Sequence, residues 1–307
     1  MTQLTANEVL GFLRGGRSLR RAELSNIDLQ GARLDRGEFA YAYFCRAQLT
    51  GASCLGADFT GANLVSATLR ESFLDQAIFA AADLTQAQLE RSLWQEVYAP
   101  QSRFCGAVLD ESTFIFANLE GSDFRQASVR QVNFKGASLK RANFSQGNLS
   151  RASFNQVAAA KSCWLQANLP GASFDTADLE QTQFDQANLT GANLTQADLL
   201  HSTLRQANLT CAVLLQTQLD WADLSEAILV RANFERASLY GAKAESADLR
   251  AANLRGADLR EANFENAVLT GACLTDAQVE GALFTNAVGL TPLQQWQLGR
   301  QGAINVG

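Results

Sequence analysis

Apolar residues recur along this chain at every fifth position. From Leu19 the step runs through Leu24, Leu29, Leu34, Phe39, Phe44 and Leu49, and it reaches Phe284 without a slip. It passes 54 positions, of which 46 are Leu or Phe, and the residue two before each is Ala in 38 of them. ANLTQ at 192–196, ADLRE at 257–261 and ANFEN at 262–266 are typical units. An α-helix turns about 100° per residue, so five residues advance about 140° net and the Leu/Phe positions would wander around it. No apolar stripe forms, which excludes long helices. A straight strand has period two, which five does not divide. The pattern fits a chain that bends every five residues. The Leu/Phe and the small residue two before it point inward, the residue between them points outward, and the other two form a corner.

These A(D/N)LXX units resemble the pentapeptide-repeat family, and the resemblance covers residues 17 to about 288. It implies an all-β fold, a right-handed quadrilateral β-helix with four pentapeptides per coil. The array then holds about 13 coils, stacked roughly 4.8 Å apart. Every Leu, Phe and Ala on these tracks is expected in the core. Burying each Leu or Phe contributes about 1.5–3 kcal/mol, against about 1–2 kcal/mol of backbone entropy per ordered residue. With so thin a margin, regular repeats are what stability requires, and they say nothing about function.

An open solenoid exposes its end coils, and both ends carry helix signals. Thr5 and Glu8 match a capping box, Val9, Leu10, Phe12 and Leu13 follow, and Gly15-Gly16 stops the segment. Near the other end Thr291-Pro292 reads as N-cap and first helical residue, followed by Leu293, Trp296, Leu298 and Gly299. Short helices are expected at about 5–14 and 292–300. The division is a helical cap at 1–16, the repeat array at 17–288 and a second cap at 289–307. The second cap either covers the last coil or pairs two copies through Leu293 and Trp296, as in family members that join end to end.

Departures from the repeat carry information. Eight centre positions are neither Leu nor Phe: Cys54, Trp94, Ala99, Val129, Ala159, Trp164, Ala244 and Val279. The run from Trp94 to Pro100 fits worst. Proline removes a ladder donor, so a bulge or small loop is expected across 94–103. A second weak stretch is 157–161. Ala99 and Ala159 could make room for Trp94 and Trp164. At four units per coil, Leu55, Phe73, Leu93, Ile115 and Phe116 fall on successive coils of one face, with Ile78, Ala80 and Tyr98 beside them. This apolar ladder is either a partner interface or a cross-strand stack that stiffens the face.

Charge adds a second feature. Arg125, Arg130, Lys135, Lys140, Arg141, Arg151 and Lys161 follow one another with no acidic residue between them. They form a basic girdle, either a solvated belt or a site for an anionic partner. The whole chain carries −6, so it is not a basic nucleic-acid binder. No apolar run approaches the roughly 18 residues of a membrane span, and the first residues do not read as a secretory signal. Six scattered cysteines without pairing or metal spacing suit a reduced, cytoplasmic protein.

Catalytic chemistry is not in evidence. No phosphate-binding glycine loop or GxSxG elbow occurs, and His201, the one histidine, lacks spaced Cys or His partners for a metal. No cofactor, metal site or enzymatic activity is expected. The reading is a non-enzymatic interaction or scaffold protein with a protein partner, and no direct nucleic-acid binding. The alternative is a DNA mimic that binds DNA gyrase, as the resemblance to quinolone-resistance members of the family implies. Mimicry needs acids spaced like phosphates, and the basic girdle interrupts them.

Overall fold

The computed structural model describes residues 4–306. The chain divides into two compact units, Met1–Ser153 and Phe154–Gly307, taken here one at a time.

In the first unit the backbone returns beside itself every 20 residues. Parallel bridges join Glu23 to Tyr43, Asp28 to Gln48, Arg33 to Ser53, and so on to Asn133 and Ser153. Twenty residues are four pentapeptides, so each 20-residue segment is one coil. Every pentapeptide contributes a single bridging residue, the one between the two inward positions, and then turns. The turn is closed by an amide of the next unit, as in Ala22 N–H to Leu19 O at 3.0 Å. Its second central residue has positive φ, for example Arg21 at 58°, which defines a type II turn. Isolated bridges take the place of continuous strands because the chain straightens for only one residue before it bends.

From Leu19 the inward tracks are buried, except that Ala22 and Ala32 near the start of the array are half-buried. Aromatic rings stack coil upon coil on two tracks: Phe39, Phe59 and Phe79 at 5.1 and 4.7 Å on one, and Phe104, Phe124 and Phe144 at 4.6 Å each on another. The position two before the Leu/Phe admits Ser as well as Ala because its hydroxyl has a carbonyl three residues back. Ser72 donates to Leu69 O at 2.6 Å.

The Asp or Asn of the motif has a structural role. The amide of the first turn residue has no partner in the backbone ladder, and the Asx side chain two residues earlier accepts from it, as Asp58 does from Thr60 N–H at 2.8 Å. Where the coil lacks an Asx there, a carboxylate one coil earlier can substitute. Asp35 serves Leu55 N–H at 3.1 Å, Asp75 serves Gln95 at 2.8 Å and Asp110 serves Arg130 at 2.9 Å.

The second unit repeats this plan from the bridge between Ala158 and Asp178 to that between Val268 and Val288. Its turn caps are more regular, and glutamines ladder along one corner: Gln166 donates to Gln186 at 2.8 Å, and Gln186 to Gln206 at 3.0 Å.

Two helices occur among the described residues. α1 spans Ala6–Arg14 with the expected Thr5–Glu8 capping box, and Val9 is its buried residue. α2 spans Pro292–Arg300, capped by Thr291 with Gln294 closing the box. It runs one residue past Gly299 before Gln301 ends it. Residues beyond α2 rejoin the last coil, where Ile304 bridges Leu283 and its amide donates to Ala282 O at 2.8 Å.

The expected loop at 94–103 is absent. Glu96 N–H reaches Ile115 O at 2.9 Å, Gln101 N–H reaches Glu120 O at 2.8 Å, and Ile78, Tyr98 and Asn118 bridge in unbroken register. Pro100 stands at the first turn position, where a φ near −65° is required and no ladder amide is lost. The two tryptophans are accommodated by a polar neighbour. Trp94 donates its indole N–H to Ser92 Oγ, and Trp164 to Ser162 Oγ, both at 2.7 Å.

Candidate interaction surfaces

The expected apolar ladder lies in the first unit and resolves into two strips. Phe73 and Leu93 bridge each other on one face, and Ile78 and Tyr98 on the next. Between these two pairs the corner is polar at its two middle coils. Asp75 accepts from Gln95 N–H at 2.8 Å, and Gln76 donates to Glu96 at 3.1 Å. The ladder expected from the sequence is therefore divided at these two coils, because Phe73 and Leu93 occupy face positions while residues 75–76 and 95–96 turn the corner. Leu55 stands at that corner one coil before Asp75, and Ile115 and Phe116 stand one coil after Glu96. Leu55, Phe73, Leu93, Tyr98 and Phe116 are exposed and Ile115 is half-buried.

Phe116 is held by a glycine. A Cβ on Gly136 would come within 2.5 Å of the Phe116 ring, so the ring lies flat on the next coil only because that residue has none. Beside Tyr98, the small corner residues Ala80, Ala81, Pro100 and Gly121 leave a groove of about 490 Å3. Glu120 and Arg141, 3.9 Å apart, close one side.

This surface also departs from the capping rule. Phe73, Ile78 and Thr113 stand where an Asx would cap the turn, and no side chain accepts from Asp75, Ala80 or Ile115 N–H among the described residues. Tyr98 precedes Pro100, which has no amide to cap.

The basic residues are exposed, and three of them have acidic partners: Arg125, Arg130 and Arg141. Arg130 pairs with Asp110 of the preceding coil, Nε to Oδ2 at 2.8 Å, and Arg125 with Asp123 at 2.6 Å. Burial alone would push the Asp110 carboxyl up, but the Arg130 guanidinium, the Ser128 hydroxyl and the Arg130 amide outweigh it and hold it below the usual carboxylate range. Lys135, Lys140 and Arg151 make no ion pair among the described residues of the first unit. Lys161 belongs to the second unit.

In the second unit Leu293 and Trp296 are exposed on α2, with the Arg300 guanidinium 5.0 Å over the Trp296 ring. Leu298 is the helix's buried residue, and Gln294 ties it to Ala272 O at 3.0 Å. Sequence reasoning missed Trp221, which is exposed at a turn of the same unit. Its signal was available: an aromatic residue at a corner position, with Gly241 twenty residues later.

The remaining chemistry is sparse. His201 sits exposed at a corner. No group of three His, Cys, Asp or Glu that could hold a metal comes together among the described residues. Cys54 is buried, and burial with the Asp35 carboxylate nearby pushes its thiol up, so it is a poor nucleophile. No helix among the described residues is long and apolar enough to cross a membrane.

Twenty-residue coils, single-residue bridges and buried Leu/Phe and Ala tracks define a repeat protein whose variable chemistry sits at outward and corner positions. The chain belongs to the pentapeptide repeat family, whose repeats match in eight copies at 22–64, 57–93, 95–126, 117–156, 160–191, 187–225, 217–256 and 247–286. No curated protein matches the sequence. Among solved structures it is similar to HetL, a pentapeptide repeat protein involved in heterocyst differentiation regulation from the cyanobacterium Nostoc sp. strain PCC 7120. The identity is 28%, over 94% of this chain and 99% of that one, with a TM-score of 0.32. A pentapeptide repeat protein from the cyanobacterium Cyanothece 51142 is 38% identical over 33% of this chain and 63% of its own, with a TM-score of 0.22. QnrB1, a plasmid-mediated fluoroquinolone resistance protein, is 20% identical over 73% of this chain and 98% of its own, with a TM-score of 0.33.

Proposed function

We propose that the chain is a non-enzymatic, cytoplasmic interaction protein. In each unit the coils wind as a right-handed quadrilateral β-helix, and the first unit presents the partner surface. That surface comprises Leu55, Phe73, Leu93, Tyr98, Ile115 and Phe116, together with the groove beside Tyr98. One observation carries the reading: apolar side chains occupy outward positions where the repeat elsewhere places a turn-capping Asx. At Phe73 and Ile78 the exchange forgoes a hydrogen bond worth about 0.5–1.5 kcal/mol, and at Phe73, Ile78, Leu93 and Tyr98 alike it exposes apolar area, which folding alone does not require. The partner is a protein. Leu293 and Trp296 of α2 give the chain a surface for pairing with a second copy.

The test is capture of a partner, or self-association, by the full chain and by a Phe73→Asp/Phe116→Asp variant. The variant melts like the parent and loses the association. An association that persists unchanged leaves the two strips a purely structural stack.

A second reading, a DNA mimic acting on gyrase, is favoured by the charge of the second unit. Residues 154–307 carry 16 acidic against 9 basic residues, a net −7, whereas residues 1–153 carry 15 against 16, a net +1. Inhibition of gyrase supercoiling that survives physiological salt would support it, and absence of any effect would leave the interaction protein.

A further inference from the structure

We propose that the Trp221 corner of the second unit binds an arginine- or lysine-bearing segment of a partner protein. The inference rests on the chain's being a binding protein, but it uses a different surface from the apolar strips.

Trp221 holds a turn position with φ 59° and is 51% exposed. Its ring lies over Gly241 of the next coil, where a Cβ would come within 2.5 Å of Cζ3, and it meets the Tyr240 ring edge-on at 5.3 Å. The indole is thus held against the Gly241 backbone while half of the side chain stays exposed.

The first unit contains the same device with its cation in place. Tyr41 stands at an equivalent corner with φ 60°, its ring lying over Gly61, and the Arg20 guanidinium sits over that ring, 4.7 Å from its centroid. Arg20 precedes Tyr41 by 21 residues, and the residue 21 before Trp221 is Leu200. None of the second unit's own cations lies over the Trp221 ring among the described residues, while Arg260 already lies over Tyr240 at 5.7 Å. The geometry therefore presents a ring ready for a cation, which the chain itself does not supply.

The surrounding charge fits a cation as well. Backbone bonds run Trp221 N–H to Tyr240 O at 2.9 Å, Gly241 N–H to Arg260 O at 3.0 Å and Glu261 N–H to Glu280 O at 3.0 Å. They set Asp220, Arg260, Glu261 and Glu280 along one corner with the tryptophan, and Arg260 is paired with Asp258 at 2.6 Å, which leaves the corner acidic. Coils stack roughly 4.8 Å apart, so Glu261 lies about two coils, or 10 Å, from Trp221. An extended peptide spans that distance in about three residues. A segment with basic residues at every third position could place one on the indole and the next on Glu261. A cation over an exposed indole contributes enough for about a two- to fivefold change in affinity.

The experiment uses the full chain and a fluorescent extended peptide with arginine at every third position, followed by anisotropy at low ionic strength. A peptide with citrulline at the same places is the neutral control. Glutamine is common at these corners, so Trp221→Gln keeps the turn. The expected result is binding of the arginine peptide, about two- to fivefold weaker with Trp221→Gln at an unchanged melting temperature, and also weaker than wild type with Glu261→Gln/Glu280→Gln. Phe73→Asp/Phe116→Asp should bind the peptide like wild type, which separates this site from the apolar surface. Equal binding by wild type and Trp221→Gln would overturn the proposal, as would equal binding of the arginine and citrulline peptides.

Discussion

Residues 68–115 of the first unit and 178–263 of the second are built on the same repeat yet treat their outward positions differently. In the second stretch Asp or Asn caps turn after turn: Asn188 accepts from Thr190, Asn193 from Thr195, Asn208 from Thr210, Asp223 from Ser225 and Asn233 from Glu235. Asp185 and Asp220 serve Arg205 and Tyr240 from the coil before. In the first stretch the outward residues run Thr68, Phe73, Ile78, Asp83, Gln88, Leu93, Tyr98, Arg103, Val108 and Thr113, and Asp83 is the one Asx among them. The cores of the two stretches are alike in burial. Their difference lies at positions where burial is not decided, and there the first stretch spends capping bonds on apolar surface.

The largest effect should come from the carboxylate that compensates most. Asp110 accepts from the Ser128 hydroxyl and from both the amide and guanidinium of Arg130. Asp110→Ala should cost about 2–3 kcal/mol in denaturant unfolding, because charge-assisted bonds to a mostly buried acceptor are lost. The same group sets an acid dependence. Its pKa is depressed in the folded state, so its contribution is complete above the ordinary Asp value of about 3.9 and is lost as pH falls through the depressed value. Asp248 and Asp258, held down by Arg250 and Arg260, act in the same direction in the second unit. Wild type should therefore lose stability below about pH 4 more steeply than Asp110→Ala.

A single ordinary cap should matter less. Asn208 accepts from the amide and hydroxyl of Thr210, and Asn208→Ala should cost about 0.5–1.5 kcal/mol. A melting curve that does not move would show that these turns need no cap, and the contrast between the two stretches would lose its energetic meaning.

The repeat period made most of this fold legible. The Leu/Phe and Ala tracks, the corners and both helix starts follow from spacing and capping chemistry. Pro100 misled because a proline in a β ladder loses a donor, whereas here it falls on the turn residue whose amide the ladder never uses. The spacing did not show that the indole N–H of Trp94 and of Trp164 donates to the Ser two positions before. The apolar ladder was legible as residues but not as a shape, since a count of four units per coil does not distinguish a face from the corner beside it. The capping role of Asx was hidden for a similar reason: Asp35, Asp75 and Asp110 act 20 residues away.

The central claim is that the apolar outward residues of the first unit serve binding rather than folding. The most direct test is the equilibrium stability of Phe73→Asn/Ile78→Asn, which restores the Asx of the repeat at two uncapped turns. New caps of about 0.5–1.5 kcal/mol each should offset the lost burial of two half-exposed side chains, so the account predicts stability within about 1 kcal/mol of wild type. A loss of about 3–5 kcal/mol, the scale of truncating a buried aromatic, would contradict it and make these side chains part of the fold's own support.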